Sequence, residues 1–309
     1  MVSSLLLPRP SLLLPLPSLL LSRPSLLLPR PSLLLFPPCL LRRSFSFWAW
    51  SKPPPVSFSL VLPTAQAVES FRVSDIPPHI ARPQYAASGL VEPSSVPKTA
   101  VIWSESEVLA IRESCQLARK VLEEVRSLVR PGVTTEQLDE HAREFIIIHN
   151  AYPSCLNFNN YPKSISTSVN NVAAHGIPDS RCLSDGDIVT INVTVFLNGF
   201  HGDCSDTVAV GQVDEYGLKL IRVTEEAVEK AIGNCNPGRL LCLIGRDIHK
   251  HVRKQDCVSI PHFLGHGIGD FFHGPPDIYH CLNNYPGVMV PGMVFTIGPV
   301  VGLISTSSR

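Results

Sequence analysis

Past residue 103 the chain switches between two hydrophobic periodicities, and these predict its elements. Ser104-Glu105-Ser106-Glu107 is a capping-box opening, with Ser at the N-cap and Glu three residues on. Behind it Val108, Ile111, Cys115, Ala118, Leu122 and Val125 recur at helical spacing, an apolar stripe opposite a charged face. Arg130-Pro131-Gly132 ends that helix, and Thr134 or Thr135 caps a second one running through Leu138, Ala142 and Phe145. The period then falls to two. Val189, Ile191, Val193 and Val195 alternate with Thr190, Asn192 and Thr194. Asn198-Gly199 is a strong hairpin signal, and the return strand carries His201, Asp203 and Asp206. That pairing sets Asn192 nearly across from Asp203. Helical stretches near 216–233 and 241–254 lead into a second β block containing 261–269 and 291–299. Helices, hairpin, helices, strands: the order predicts an α+β domain with a pseudo-repeat around one sheet.

Upstream, both periodicities are missing. Residues 1–68 hold six basic residues, no acid and 13 of the 29 prolines, and Arg-Pro-Ser-Leu-Leu-Leu recurs at 9–14, 23–28 and 30–35. Low complexity of this kind does not build a packed core. Pro or Arg interrupts every leucine run, so neither a membrane span of about 20 apolar residues nor a secretory h-region is available. An acid-free, Arg- and Ser-bearing transit segment fits better. Its prolines oppose the amphipathic helix of a mitochondrial presequence and favour a plastid address. A translated simple-repeat tract with no targeting role is the alternative. Pro- and Ser-rich residues 69–103 read as a linker, and 104–309 as the domain itself.

Without the leader the chain carries 20 basic against 26 acidic residues. A mildly acidic body lacks the basic stripe that nucleic acid or an anionic membrane would need. Nine scattered cysteines with no CxxC suit free thiols in a reducing compartment rather than a disulfide framework or zinc finger. No thiol or hydroxyl is paired with a placed base, so nucleophilic Cys or Ser catalysis is disfavoured.

Seven runs carry a family resemblance: Ala151-Tyr152-Pro153-Ser154, Tyr161-Pro162-Lys163-Ser164, Thr167-Ser168-Val169-Asn170, His175-Gly176-Ile177-Pro178-Asp179, Asn198-Gly199-Phe200-His201-Gly202-Asp203, Gly265-His266-Gly267-Ile268-Gly269 and Pro291-Gly292-Met293. In this order over some 200 residues, the stretch from about Arg82 to Pro299 resembles a type I methionine aminopeptidase, most similar to the organellar forms of plants. The resemblance implies the "pita-bread" α+β fold, with a pseudo-twofold repeat around one curved antiparallel sheet. It implies removal of the initiator Met from nascent polypeptides, in chloroplast or mitochondrion, by a monomer that meets nascent N-termini and the organellar ribosome. It also implies a divalent metal cofactor (Co, Mn, Fe or Zn), two ions in the family.

That family binds its ions with two Asp, one His and two Glu. By position the first Asp falls on Asn192, the second on Asp203, the His on His266 and the first Glu on Gly298. The second Glu belongs to a closing strand that has no counterpart in residues 300–309. Two dications ~3.5–4 Å apart need mostly carboxylate ligands to offset their repulsion. Asn192 offers only a neutral carbonyl oxygen and Gly298 no side chain, so one ion or none is expected. His175 and His273 match the family's two non-ligand histidines, which contact substrate and stabilise the tetrahedral intermediate. In the methionine pocket Phe158 stands for Tyr and Ser166 for Cys. Asn157, Asn159 and Asn160 replace glycines in the adjoining loop, where a positive φ is tolerated at some cost. Loss of closing strands is expected to leave an open, apolar sheet edge. The resulting alternatives are an active metallo-aminopeptidase, a non-catalytic peptide-binding pseudo-enzyme, and a truncated product without function.

Overall fold

A computed structural model of the chain describes residues 2–6, 60–62 and 71–304. Most of the leader and the last five residues therefore lie outside the described residues. The first strand, β1 (Val2–Leu6), is followed after a long interval by helices α1 (Glu105–Leu128) and α2 (Thr135–Ile148). Then come β2 (Tyr152–Pro153), β3 (Ser166–Val169), β4 (Ile188–Leu197) and β5 (Phe200–Ala209). The second half repeats the scheme with helices α3 (Glu215–Gly233) and α4 (Cys242–Lys254). Its strands are β6 (Cys257–Ser259), β7 (Leu264–Gly267), β8 (Gly274–Tyr279), β9 (Val294–Ile297) and β10 (Val301–Leu303).

Local chemistry explains the boundaries. Ser104 and Glu107 form the full capping box of α1, and Thr134 with Gln137 forms that of α2, so Thr134 rather than Thr135 is the cap. The stripe through Ile111, Ala118, Leu122 and Val125 is wholly buried. Ala118, Leu122 and Val125 pack with Leu138, Ala142 and Ile146 of α2 against Val189, Ile191, Val193 and Val195 of β4, while Ile111 packs with Trp103, Ile268 and Phe271. Asn198 and Gly199, both at positive φ, close the two-residue hairpin between β4 and β5. At the close approach of α1 and β5, Gly202 leaves no room for a side chain: a Cβ there would sit 2.3 Å from the Ser114 backbone carbon.

The main sheet runs β2-β4-β5-β1-β9-β7-β8, with β3 also paired to β4, while β10 and β6 form a separate pair. α1 and α2 cover the β4–β5 half. α3 and α4 cover the other half through Val223, Ala227, Ile244 and Ile248, packed on Ile278, Phe295 and Ile297. Two sequence expectations change here. Residues 71–103 are not a bare connector, since Ile76, Ile80, Tyr85, Ala86 and Trp103 are buried and pack on Tyr152, Leu156, Phe158 and Phe271. Scattered apolar residues too sparse to show a period reach the core from short 3₁₀ turns such as Gln84–Ala86. An open apolar edge is expected where closing strands are lost; among the described residues β9 is not such an edge, because β1 pairs along it from Val294 to Ile297. Further along the leader, Val61 packs against the first core and exchanges hydrogen bonds with the Asn171 side chain at 2.7 and 3.0 Å.

Candidate active site

The seven residues singled out from sequence come together in the structure. Phe158, Ser166, His175, Asn192, Asp203, His266 and His273 all line one cleft of about 600 Å³ between the two halves of the sheet, and Gly298 joins them. They arrive from separate elements: β3, β4 and β5 from one half, β7, β9 and their flanking turns from the other. Period-two strands place Ser166 and Asn192 as register partners. The register of the hairpin corrects one expectation: the residue opposite Asp203 is Thr194, whereas Asn192 faces Ser205. Asn192 still reaches Asp203 diagonally.

Asp203 is buried and its Oδ1 accepts hydrogen bonds from Thr194 Oγ1 at 2.7 Å and Asn192 Nδ2 at 2.9 Å. Burial pushes its carboxyl above the ordinary carboxylate range, against the attraction of His266 and those two donors. His266 is held from both sides of its backbone and ring. Its N–H donates to Thr296 Oγ1, and its Nδ1 lies 3.1 Å from the carbonyl of Gly267. A carbonyl only accepts, so Nδ1 carries the proton and the Nε2 lone pair is left for the cleft. Burial lowers the imidazole's basicity, with Asp203 opposing. His273 stands edge-on to His266, ring centres 4.1 Å apart, and is held well below the usual histidine range by burial.

The apolar end of the cleft is aromatic. Phe158 meets Phe272 at 4.7 Å, His273 at 5.0 Å and Tyr85 at 5.1 Å between ring centres. Tyr161 donates its hydroxyl to the carbonyl of Gly176, next to His175, which itself adopts a positive φ. The asparagine-for-glycine loop forms: Asn157, Asn159 and Asn160 all take positive φ, and Asn157 Nδ2 anchors the loop to the carbonyl of Ala86.

Two residues behind the cleft escaped sequence reasoning. Tyr85 belongs to the stretch read as linker. His201 was visible in the hairpin but had no role. It is fully buried, hydrogen-bonded to Ser154 Oγ at 2.8 Å and stacked on Phe272, and burial pushes its imidazole down to about 3. Its histidine type at an inward strand position beside Asp203 was the one available signal.

Do these residues fit a pair of metal ions? Asp203 is the one carboxylate among the described residues lining the cleft. Among the described residues, no three His, Cys, Asp or Glu side chains gather as a metal cage. Asn192 turns its amide N–H₂, not its oxygen, to Asp203, and the backbone N–H of Gly298 is engaged by His280 Nε2 at 3.2 Å. One carboxylate cannot neutralise two adjacent dications. The donor set does not fit the pair.

Residues 110–307, which carry both the two-halved sheet and the cleft, match the metallopeptidase family M24. The chain belongs to that family and, within it, to the methionine aminopeptidases. It is 43% identical over 247 residues to the human protein named methionine aminopeptidase 1D, mitochondrial, covering 80% of this chain and 72% of that one. It is 42% identical over 231 residues to methionine aminopeptidase 1B, chloroplastic, of Arabidopsis thaliana, covering 75% of this chain and 62% of the relative. The crystal structure of methionine aminopeptidase from Rickettsia prowazekii superposes with a TM-score of 0.64 at 39% identity, over 65% of this chain and 82% of that one. The predicted α+β "pita-bread" fold is thus the observed one. No helix among the described residues is long and apolar enough to cross a membrane.

Proposed function

We propose that this chain acts on polypeptides that begin with methionine, and that its metal capacity is at most one divalent ion. The observation that carries this reading is the two-ended cleft. An aromatic end of Phe158, Tyr161 and Phe272 suits an unbranched thioether side chain, which gains from sulfur–aromatic contact. At the polar end stand Asp203, His266, His175 and His273. His175 and His273, both lining the cleft, are the candidate catalytic residues and would contact the scissile amide. Phe158 and Ser166 would hold the methionine. Asp203 and the Nε2 of His266, with Asn192 as a weak third donor, would hold the single ion. The family's activity with such an ion is hydrolytic release of the N-terminal methionine.

The relatives' mitochondrial and chloroplastic names support an organellar site of action, on nascent N-termini near the ribosome. The working unit is a monomer.

The test uses the full chain with a Met-Ala-Ser peptide, with and without added Co²⁺ or Mn²⁺, beside a His266→Ala control. Metal-dependent release of methionine, absent in the control, supports the reading. Failure of the peptide either to bind or to be cleaved removes it. A second reading rests on Gly298 and Asn192, which leave the donor set short of charge: peptide binding without turnover. Measured affinity with no release of methionine at any metal concentration selects it.

A further inference from the structure

β5 and β9 belong to the two halves of the sheet and share no ladder of their own among the described residues; β1 lies between them. Val2 and Ser3 pair with Ser205 and Cys204 on one side. Ser3 through Leu6 pair with Ile297 through Val294 on the other. Ser3 alone is in register with both neighbours. Adjacent strands lie ~4.8 Å apart, so β5 and β9 stand roughly 10 Å from one another, one strand's width and far beyond direct hydrogen bonding. On the far side of the slot Phe295 and Ile297 are fully buried beneath α3 and α4. An empty slot would strand backbone N–H and C=O groups inside the molecule. Closing it would instead slide the Asp203 strand against the Thr296 strand and reshape the cleft between them.

We propose that Val2–Leu6 is a retained structural strand that ties the two halves of the sheet together and sets the separation across which Asp203 and His266 face each other. The occupant is argued from composition as well as pairing. Proline cannot sit in a central strand, and the leader has none before Pro8, whereas from Pro8 to Pro38 prolines recur every few residues. A protein that has lost residues 1–68 as a cleaved leader lacks this strand, so the tie belongs to the uncleaved chain.

Cross-linking in the full chain tests this without reference to activity. Ser3→Cys places a thiol in register with native Cys204, and directly opposed antiparallel positions lie within the Cα separation a disulfide needs. Ser4→Cys shifts the thiol by one residue, to the other face of the strand. Under mild oxidation with oxidised glutathione, peptide mapping should find the 3–204 disulfide roughly tenfold above any 4–204 product. Amide exchange in fragments covering 203–206 and 294–297 should also accelerate about tenfold in Ser3→Pro, which removes a central donor. Equal cross-linking from positions 3 and 4, none from either, or unchanged exchange in Ser3→Pro each overturns the proposal. So does finding another proline-free run of the leader, such as residues 39–52, cross-linked at Cys204 through its own Cys39.

Discussion

His280 gives the sharpest test of how the second half of the sheet is held. Its ring is buried and bridges two backbone groups: Nδ1 donates to the carbonyl of Phe263, and Nε2 accepts the N–H of Gly298 at 3.2 Å. The Nε2 bond requires the neutral imidazole, because a protonated ring has no lone pair left to accept with. Burial, the larger effect, pushes its pKa down to about 4 from an ordinary 6.5, against the Phe263 carbonyl, which favours the proton. The folded pKa is depressed, so the stabilisation is present above pH 6.5 and is lost as pH falls toward 4. In that window the unfolded chain takes up a proton that the folded chain refuses. Linkage then gives about 2 kcal/mol lost between pH 8 and pH 5, rising to about 3 kcal/mol below pH 4. Against a typical stability of ~5–15 kcal/mol this is a large share. His280→Gln keeps a donor and an acceptor but cannot titrate. Urea unfolding of both proteins at pH 8, 6.5 and 5 should show the variant destabilised by ~1 kcal/mol at pH 8 and level with or above the parent at pH 5. Parallel pH dependence in the two proteins would show that His280 is not the neutral bridge described.

Two further outcomes follow from the cleft and the helix contact. Asn192→Asp with Gly298→Glu adds two carboxylates beside Asp203, so the double variant should melt lower than the parent without metal and gain more on adding Mn²⁺; equal metal-induced shifts would refute the charge argument. Gly202→Ala forces a methyl into the α1 backbone at Ser114, whose hydroxyl donates to the carbonyls of Leu197 and Phe200 and so keeps the helix from moving away. It should cost about 2–3 kcal/mol in urea unfolding, and a loss under ~0.5 kcal/mol would mean the helix can retreat.

The elements near in sequence were legible because their signals are local. Ser104 and Glu107 cap their own helix, Asn198-Gly199 turns its own hairpin, and alternation along β4 marks its own buried face. The chemistry of the cleft was legible for the same reason: Asp203, His266 and His175 sit in motifs a few residues long, and losing charge at positions 192 and 298 needs no geometry to notice. What composition could not supply was partnership across distance. Tyr85 looked like linker because nothing nearby tells that it will lie edge-on to Phe158. The buried state of His201 depends on Ser154 and Phe272, 47 and 71 positions away. Val2–Leu6 read as part of a featureless leader because a five-residue strand carries no period of its own; two waiting edges, brought together only by folding of residues 200–297, decide that it is one. Backbone hydrogen bonds are blind to side-chain identity, so a ladder of this kind leaves little trace in sequence and is settled by tertiary structure alone.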